Sequence, residues 1–194
     1  MTWKHWYLFK NKIATSSLIE GMKPLLVLMS FLFLQTETDP PQIEWQVDRK
    51  LEWSDFTRRT GPSEMFKAFS YTGISYVVDA PEGKTAITVT PYFLPKESWV
   101  HLSYLNDELL NHEQGHFDIV AIYAHMLESQ LRVYETDVDY FMEHDLAKKI
   151  EAIFQVVYAE MDACQNRYDS ETDHGTETER QANWDNWFNQ KLSR

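Results

Sequence analysis

The chain of 194 residues contains a single cysteine, Cys164, so no disulfide bond can form within it, and this cysteine is expected to pack as a small apolar residue. Basic residues are also scarce: 18 lysines and arginines stand against 30 aspartates and glutamates, which gives a formal charge of -12. Such a charge disfavours nucleic acid and anionic membrane surfaces as partners. Hydrophobic residues make up 43% of the chain, enough for one domain with a buried core.

The apolar run near the N-terminus is too short to cross a bilayer comfortably. It covers the eleven residues 24–34 behind Lys23, which is the length of a signal-peptide core. We therefore predict that residues 1–36 are an N-terminal extension with an export signal, with Met22 as a second possible start. Loss of this segment removes four lysines and one glutamate, so the charge becomes -12 - (4 - 1) = -15. The mature protein, residues 37–194, is expected to be a single domain, periplasmic or secreted, and membrane-bound only if the signal is retained.

The patterns after the signal predict strands first and helices afterwards. Segments rich in β-branched and aromatic residues predict strands at residues 43–47, 68–78 and 85–93. The proline and glycine of residues 80–84 predict a hairpin turn between the last two strands.

Helical spacing of apolar residues begins after the strands. It predicts long helices over residues 103–133 and 139–163. Thr176 and Glu179 form a T-x-x-E capping box, which predicts the start of a third helix. A small N-terminal antiparallel sheet followed by three helices indicates an α+β fold.

The most specific pattern is His-Glu-Gln-Gly-His at residues 112–116, an H-E-x-x-H motif on the first long helix. Two histidines four positions apart lie on one face of a helix, so His112 and His116 can bind the same metal ion. Glu113 lies beside them, and its carboxylate can act as a general base toward a water molecule on that metal. The motif therefore predicts a zinc (Zn2+) site in a hydrolase.

A catalytic zinc ion usually has three protein ligands, so a third ligand is expected elsewhere in the chain. His174 is the first candidate, because it lies in the polar residues 168–175, a predicted loop between helices. The other candidates are acidic residues: Glu143, Glu151 and Glu160 on the second long helix, and Asp118. Asp118, Asp169 and Asp173 are also candidate partners for a ligand imidazole. The remaining candidates by residue type, His101, His125 and His144, lack the spacing of metal ligands.

The motif and its surroundings resemble a known family. The sequence L-N-H-E-Q-G-H-F-D-I at residues 110–119, W-S-D-F at residues 53–56, and the downstream Y-D...T-D-H-G followed by Trp184 are similar to predicted secreted Zn-dependent proteases of bacteria. That family is classed as a domain of unknown function, and the resemblance covers about residues 42–192. It implies an exported protein with a zincin-like fold, in which His112 and His116 bind zinc and Glu113 is the base. His174 matches the family's H-G position, which implies that it is the third ligand.

These observations predict an exported zinc metallopeptidase that acts on a peptide or protein substrate. Glu113 is expected to take a proton from the activated water and pass it to the leaving amine, and Tyr168 to stabilise the oxyanion. The strand at residues 85–93 is expected to be a sheet edge to which the substrate adds as an extra strand. Two alternatives remain: a zinc-dependent amidase acting on cell-wall or other small amides, and a non-enzymatic exported binding protein.

Overall fold

A computed structural model of the protein describes residues 41–59 and 66–193. The predicted N-terminal extension with its signal, residues 1–36, lies outside the described residues, as does the second possible start at Met22. In the described parts, none of the helices has the length and apolarity that a membrane span requires.

Strands precede helices, as predicted, and the fold is α+β. Within the described ranges the strands are β1 (Ile43–Glu44), β2 (Ala68–Phe69), β3 (Thr72–Asp79), β4 (Ala86–Phe93) and β5 (Trp99–Val100). The predicted strand at residues 68–78 is divided between β2 and β3, which belong to different sheets: β2 pairs with β5, and β3 pairs with β4. The predicted hairpin turn is confirmed, because β3 and β4 are antiparallel from Thr72 opposite Phe93 to Asp79 opposite Ala86.

The prediction that residues 85–93 form a sheet edge is wrong. β4 lies between β1 and β3, and Ile43 of β1 pairs with Phe93. Pro91 suggested an edge because it cannot donate a backbone hydrogen bond. Its carbonyl oxygen instead accepts from the Trp45 N–H at 3.2 Å, so the proline is compatible with a neighbouring strand on that side. Substrate addition to this strand is therefore not retained.

The part of the chain that the structure describes contains four α-helices where three are predicted. They are α1 (Asp107–Leu131), α2 (Val138–Glu143), α3 (Leu146–Thr172) and α4 (Thr178–Leu192). The predicted helix at residues 139–163 is interrupted at Asp145, whose φ of 50° places it in the left-handed region. α3 then continues well past residue 163. Its buried stripe extends through Cys164, Tyr168 and Thr172, so the polar residues 168–172 form the last turn of a helix and not a loop.

The predicted capping box at the start of the last helix is also wrong. The N-cap of α4 is Glu177, and its side chain makes no capping hydrogen bond. The Thr176 hydroxyl donates instead to the Asp173 carbonyl oxygen at 2.8 Å. At the start of α1, by contrast, the Asn106 side chain accepts from the Leu109 N–H at 2.7 Å and fixes where the motif helix begins.

α1 runs through the centre of the domain. It contacts β3 and β4 on one side and α3 and α4 on the other. Most of its apolar residues are buried, and Phe117 packs against Phe93 of the sheet with ring centroids 6.0 Å apart. Cys164 lies in the same core, as predicted from its isolation in the sequence. A buried side chain on α1 therefore meets either the sheet or the helices, and the exposed positions lie toward the two ends of the helix.

Candidate metal centre

The histidines and the glutamate of the motif point inward from α1. His112 is 2% exposed and Glu113 is 4% exposed, while His116 is partly buried. The two imidazole rings are neighbours, with centroids 4.8 Å apart. Buried polar groups must be satisfied by partners, because water does not reach them. The partners of these three side chains therefore define what the site can do.

Asp169 is the group on which the histidines converge. Its Oδ1 atom lies 3.2 Å from His112 Nε2 and 3.0 Å from His116 Nε2. One ligand atom from each of these three residues lies within 4.8 Å of the others. Two imidazole nitrogens and a carboxylate oxygen are donors that zinc accepts, so the residues present fit such an ion. From the sequence, Asp169 is predicted only as a candidate partner of a ligand imidazole.

His174, the predicted third ligand, lies at the margin of this cluster. Its Nδ1 atom is 3.4 Å from the same Asp169 oxygen, and its side chain is 53% exposed. It lies on a turn in which Asp173, His174 and Gly175 have φ of 45°, 53° and 83°. A Cβ atom on Gly175 would come within 2.7 Å of His112 Cβ, so glycine allows this turn to pack directly against the motif helix.

The electrostatics of the cluster favour a positive charge at its centre. Burial lowers the pKa of His116, but the charge of Asp169 and its hydrogen bond more than offset burial and raise the pKa to about 9. Burial likewise raises the pKa of Asp169, but the His116 charge and the hydrogen bonds of His112 and His116 hold it well below its usual range. At neutral pH and without metal, the His116 ring is thus positively charged, with a proton on each nitrogen, and it faces an ionised Asp169. A bound cation would take the place of the proton on Nε2.

The Glu113 carboxylate is held by Ser70. The Ser70 hydroxyl donates to Glu113 Oε2 at 2.6 Å, and both side chains are buried. The serine lies between β2 and β3, so the break between these strands supplies the partner of the glutamate. No local pattern in the sequence identifies Ser70, because 43 positions separate it from Glu113.

The predicted role of Tyr168 in stabilising an oxyanion does not fit its position. Tyr168 is fully buried beneath His112, with the rings stacked at a centroid distance of 4.6 Å. Its hydroxyl lies 3.1 Å from the His112 carbonyl oxygen, to which it donates, and it also contacts Gln181. Burial raises the pKa of Tyr168 well above its usual range. The side chain supports the back of the His112 ring and is not exposed to a substrate.

The remaining polar residues of the motif region have structural partners. Asp118 Oδ1 accepts from Trp45 Nε1 at 2.9 Å and from Gln114 Nε2 at 2.7 Å. Gln114 Oε1 in turn accepts from the Leu51 N–H at 2.7 Å. The candidate ligand Asp118 therefore faces the N-terminal segment, on the far side of α1 from the histidine pair. Together with Gln114 it ties that segment to the motif helix.

The other candidates by residue type lie outside the cluster of His112, His116 and Asp169 in the described chain. These are Glu143, Glu151 and Glu160, together with His101, His125 and His144. Glu151 accepts a hydrogen bond from Tyr76 at 2.8 Å, and His144 stacks on Tyr140. The structure thus brings His112, Glu113, His116, Asp169 and His174 together and separates the rest.

The chain is similar to a bacterial family of unknown function. The family model, described as a bacterial protein of unknown function (DUF922), matches residues 94–175. This range includes the motif on α1 as well as Asp169 and His174. No curated protein and no solved structure matches the chain. The match supports the resemblance to a bacterial domain of unknown function and carries no information on zinc or proteolysis.

Gly115 within the motif lets α3 approach α1 closely, and we expect its replacement by alanine to destabilise the protein. A Cβ atom there would lie 2.6 Å from Tyr168 Cζ and closer still to its hydroxyl oxygen. Alanine is the better helix former by roughly 1 kcal/mol, but overpacking a core costs about 1–3 kcal/mol, and the fully buried Tyr168 has little room to shift. Thermal unfolding should show a Tm lowered by several degrees, whereas Ser129→Ala at an exposed position of the same helix should leave it nearly unchanged. A Gly115→Ala protein as stable as the wild type would contradict this packing.

Proposed function

We propose that the protein is a zinc-dependent hydrolase of peptide bonds with a zincin-like H-E-x-x-H helix. The observation that carries the proposal is the convergence of His112 Nε2, His116 Nε2 and Asp169 Oδ1 on one point, with the buried Glu113 beside them. The charge of Glu113 contributes, after that of Asp169, to the raised pKa of His116. Export to the periplasm or the medium remains a prediction from the sequence.

His112 and His116 would bind the ion through Nε2, and Asp169 would supply the third protein ligand. Asp169 is preferred to His174 because its oxygen contacts both motif histidines and its side chain is only 19% exposed. His174 contacts that same oxygen from the exposed side of the site. In this arrangement His174 borders the open face where a substrate would enter.

Zinc in such a site supplies a Lewis acid and lowers the pKa of a bound water to about 7. The chain itself supplies the base. Ser70 holds Glu113 Oε2, so Oε1 is the atom available to take a proton from the attacking water and to return it to the leaving amine. Burial of Glu113 excludes bulk water, which would otherwise compete for that proton.

Removal of the metal tests the proposal. We expect the purified protein to contain about one zinc ion per chain and to cleave members of a mixed peptide library, with cleavage detected by mass spectrometry. A zinc chelator should abolish cleavage, added zinc should restore it, and a non-chelating isomer of the chelator should have no effect. Cleavage of cell-wall amides but not of peptides would replace the peptidase by the amidase alternative. Failure to bind zinc would overturn the hydrolase and leave an exported binding protein.

A further inference from the structure

Gln165 on α3 contacts His116 at two points. Its Oε1 atom lies 2.6 Å from His116 Nδ1, and its Nε2 atom donates to the His116 carbonyl oxygen at 3.0 Å. A carbonyl oxygen can only accept, so the second contact fixes which end of the amide faces the ring. The amide oxygen must then accept from Nδ1–H. His116 is therefore held with a proton on Nδ1, and Nε2, which faces Asp169, is the nitrogen that would lose its proton to bind a metal ion.

Gln181 on α4 contacts His112 in a corresponding way. Its Nε2 atom donates to the Tyr168 hydroxyl and to Asp185 Oδ1, both at 2.8 Å. With the amide protons engaged there, Gln181 Oε1 faces His112 Nδ1 at 3.3 Å. Thr172 adds a second acceptor, because its hydroxyl donates to the Tyr168 carbonyl oxygen and leaves a lone pair toward Nδ1 at 3.4 Å. Gln181 Oε1 and Thr172 Oγ1 can thus both accept from His112 Nδ1–H, while Nε2 faces Asp169.

We propose that Gln165 and Gln181 are positioning residues that lock both motif histidines in the tautomer that presents Nε2 to the metal. This inference rests on the metal site of the proposed function, but it does not depend on peptide cleavage. A ligand histidine commonly donates its second nitrogen to a carboxylate, a backbone carbonyl or water, and a carboxylate increases the basicity of the ring. In this protein the side-chain amides of Gln165 and Gln181, which are neutral, are the acceptors for the second nitrogen of each ring. They fix the ring orientation without adding negative charge beside Asp169.

Gln165 is suited to substitution because it is only partly buried, so we expect its replacement to leave the core intact. Gln165→Leu keeps much of the side-chain volume and removes the acceptor for Nδ1–H. Gln165→Glu keeps an acceptor for Nδ1–H but loses the donor to the His116 carbonyl oxygen. Gln155→Leu is the matched control, because Gln155 lies on the exposed face of the same helix, where its Nε2 atom donates to Glu151 Oε1 at 2.7 Å.

Zinc affinity should be measured on the four full-length proteins by competition with a chromophoric chelator, with metal-free melting curves to confirm that each variant folds. We expect Gln165→Leu to weaken zinc binding by about 10–100-fold, Gln165→Glu to bind more tightly than Gln165→Leu because it keeps an acceptor for Nδ1–H, and Gln155→Leu to bind as tightly as the wild type. Long-range proton–nitrogen NMR spectra of the zinc-loaded wild type should show His116 and His112 protonated at Nδ1. A ring bound to zinc through Nδ1, or a Gln165→Leu affinity equal to that of the wild type, would overturn the inference.

The outcomes also separate this inference from the proposed function. If the wild type binds zinc but cleaves no peptide, and Gln165→Leu binds zinc more weakly, the positioning role of Gln165 is supported and the peptidase proposal is overturned. If the wild type cleaves peptides with zinc, and Gln165→Leu binds zinc as tightly as the wild type, the peptidase proposal is supported and the positioning role of Gln165 is overturned. A wild-type protein that binds no zinc would overturn both.

Discussion

Glu113→Gln is expected to abolish hydrolysis and leave zinc binding unchanged. The amide keeps an oxygen that can accept from the Ser70 hydroxyl, so the local structure should persist, but it cannot take a proton from water. Loss of a general base typically costs about 100- to 10,000-fold in rate, and we expect a fall in kcat/KM within this range. The measurement is the cleavage rate of the best library peptide, together with the zinc content of the same preparation.

Glu108→Gln is the matched control for this variant. Glu108 lies in the first turn of the same helix and is exposed, so its charge is removed without any change at the cluster. The control should cleave at the wild-type rate. A Glu113→Gln protein that cleaves as fast as the control would remove Glu113 from the mechanism, whatever its zinc content.

His116→Ala and Asp169→Asn are expected to lose stoichiometric zinc, whereas His174→Ala should retain it more strongly. The reason is geometric, because the ligand atoms of His112, His116 and Asp169 form the compact group, and the half-exposed His174 lies at its margin, 3.4 Å from the Asp169 oxygen. Loss of a direct ligand should weaken binding by more than the roughly 10–100-fold that follows loss of an outer partner. Metal content by mass spectrometry after dialysis measures this, and chelator competition gives the affinities.

His144→Ala controls for the loss of a histidine as such, because His144 is exposed at the end of α2 and stacks on Tyr140. Its zinc content should equal that of the wild type. Zinc retained in Asp169→Asn but lost in His174→Ala would assign the third ligand to His174, as the family resemblance implies. Zinc retained in His116→Ala would show that the motif does not form the site.

The parts of the site that the sequence predicts are those that lie close together along the chain. His112, Glu113 and His116 share one helical turn, so helix geometry alone places them together. Asp169 and Ser70 reach them from 57 and 43 positions away, and their arrival depends on how α3 and the sheet pack against α1. Gln165 carries no signal of its own, since a glutamine on a helix is ordinarily a solvated residue.

The errors in the fold have equally local causes. Residues 168–172 read as a loop because they are mostly polar, yet Tyr168 and Thr172 continue the buried stripe of α3 and bring Asp169 onto a helix. The sequence wrongly predicts β4 as an edge strand, because its neighbour β1 is only two residues long and the pairing of β1 with β4 has no strong signature in the sequence. The α+β class was predictable because it depends only on the order of strand and helix patterns along the chain.

The bond from Trp45 to Asp118 limits where the N-terminus of a processed protein can lie. Asp118 is 2% exposed, and the indole N–H is one of the groups that compensate its burial. A signal peptidase or another protease that cut after Trp45 would remove this donor, and with it the β1 strand that flanks β4. If the predicted export signal is removed, we therefore expect the cut to lie before Ile43, because residues 43–45 are a structural part of the domain that carries the histidines.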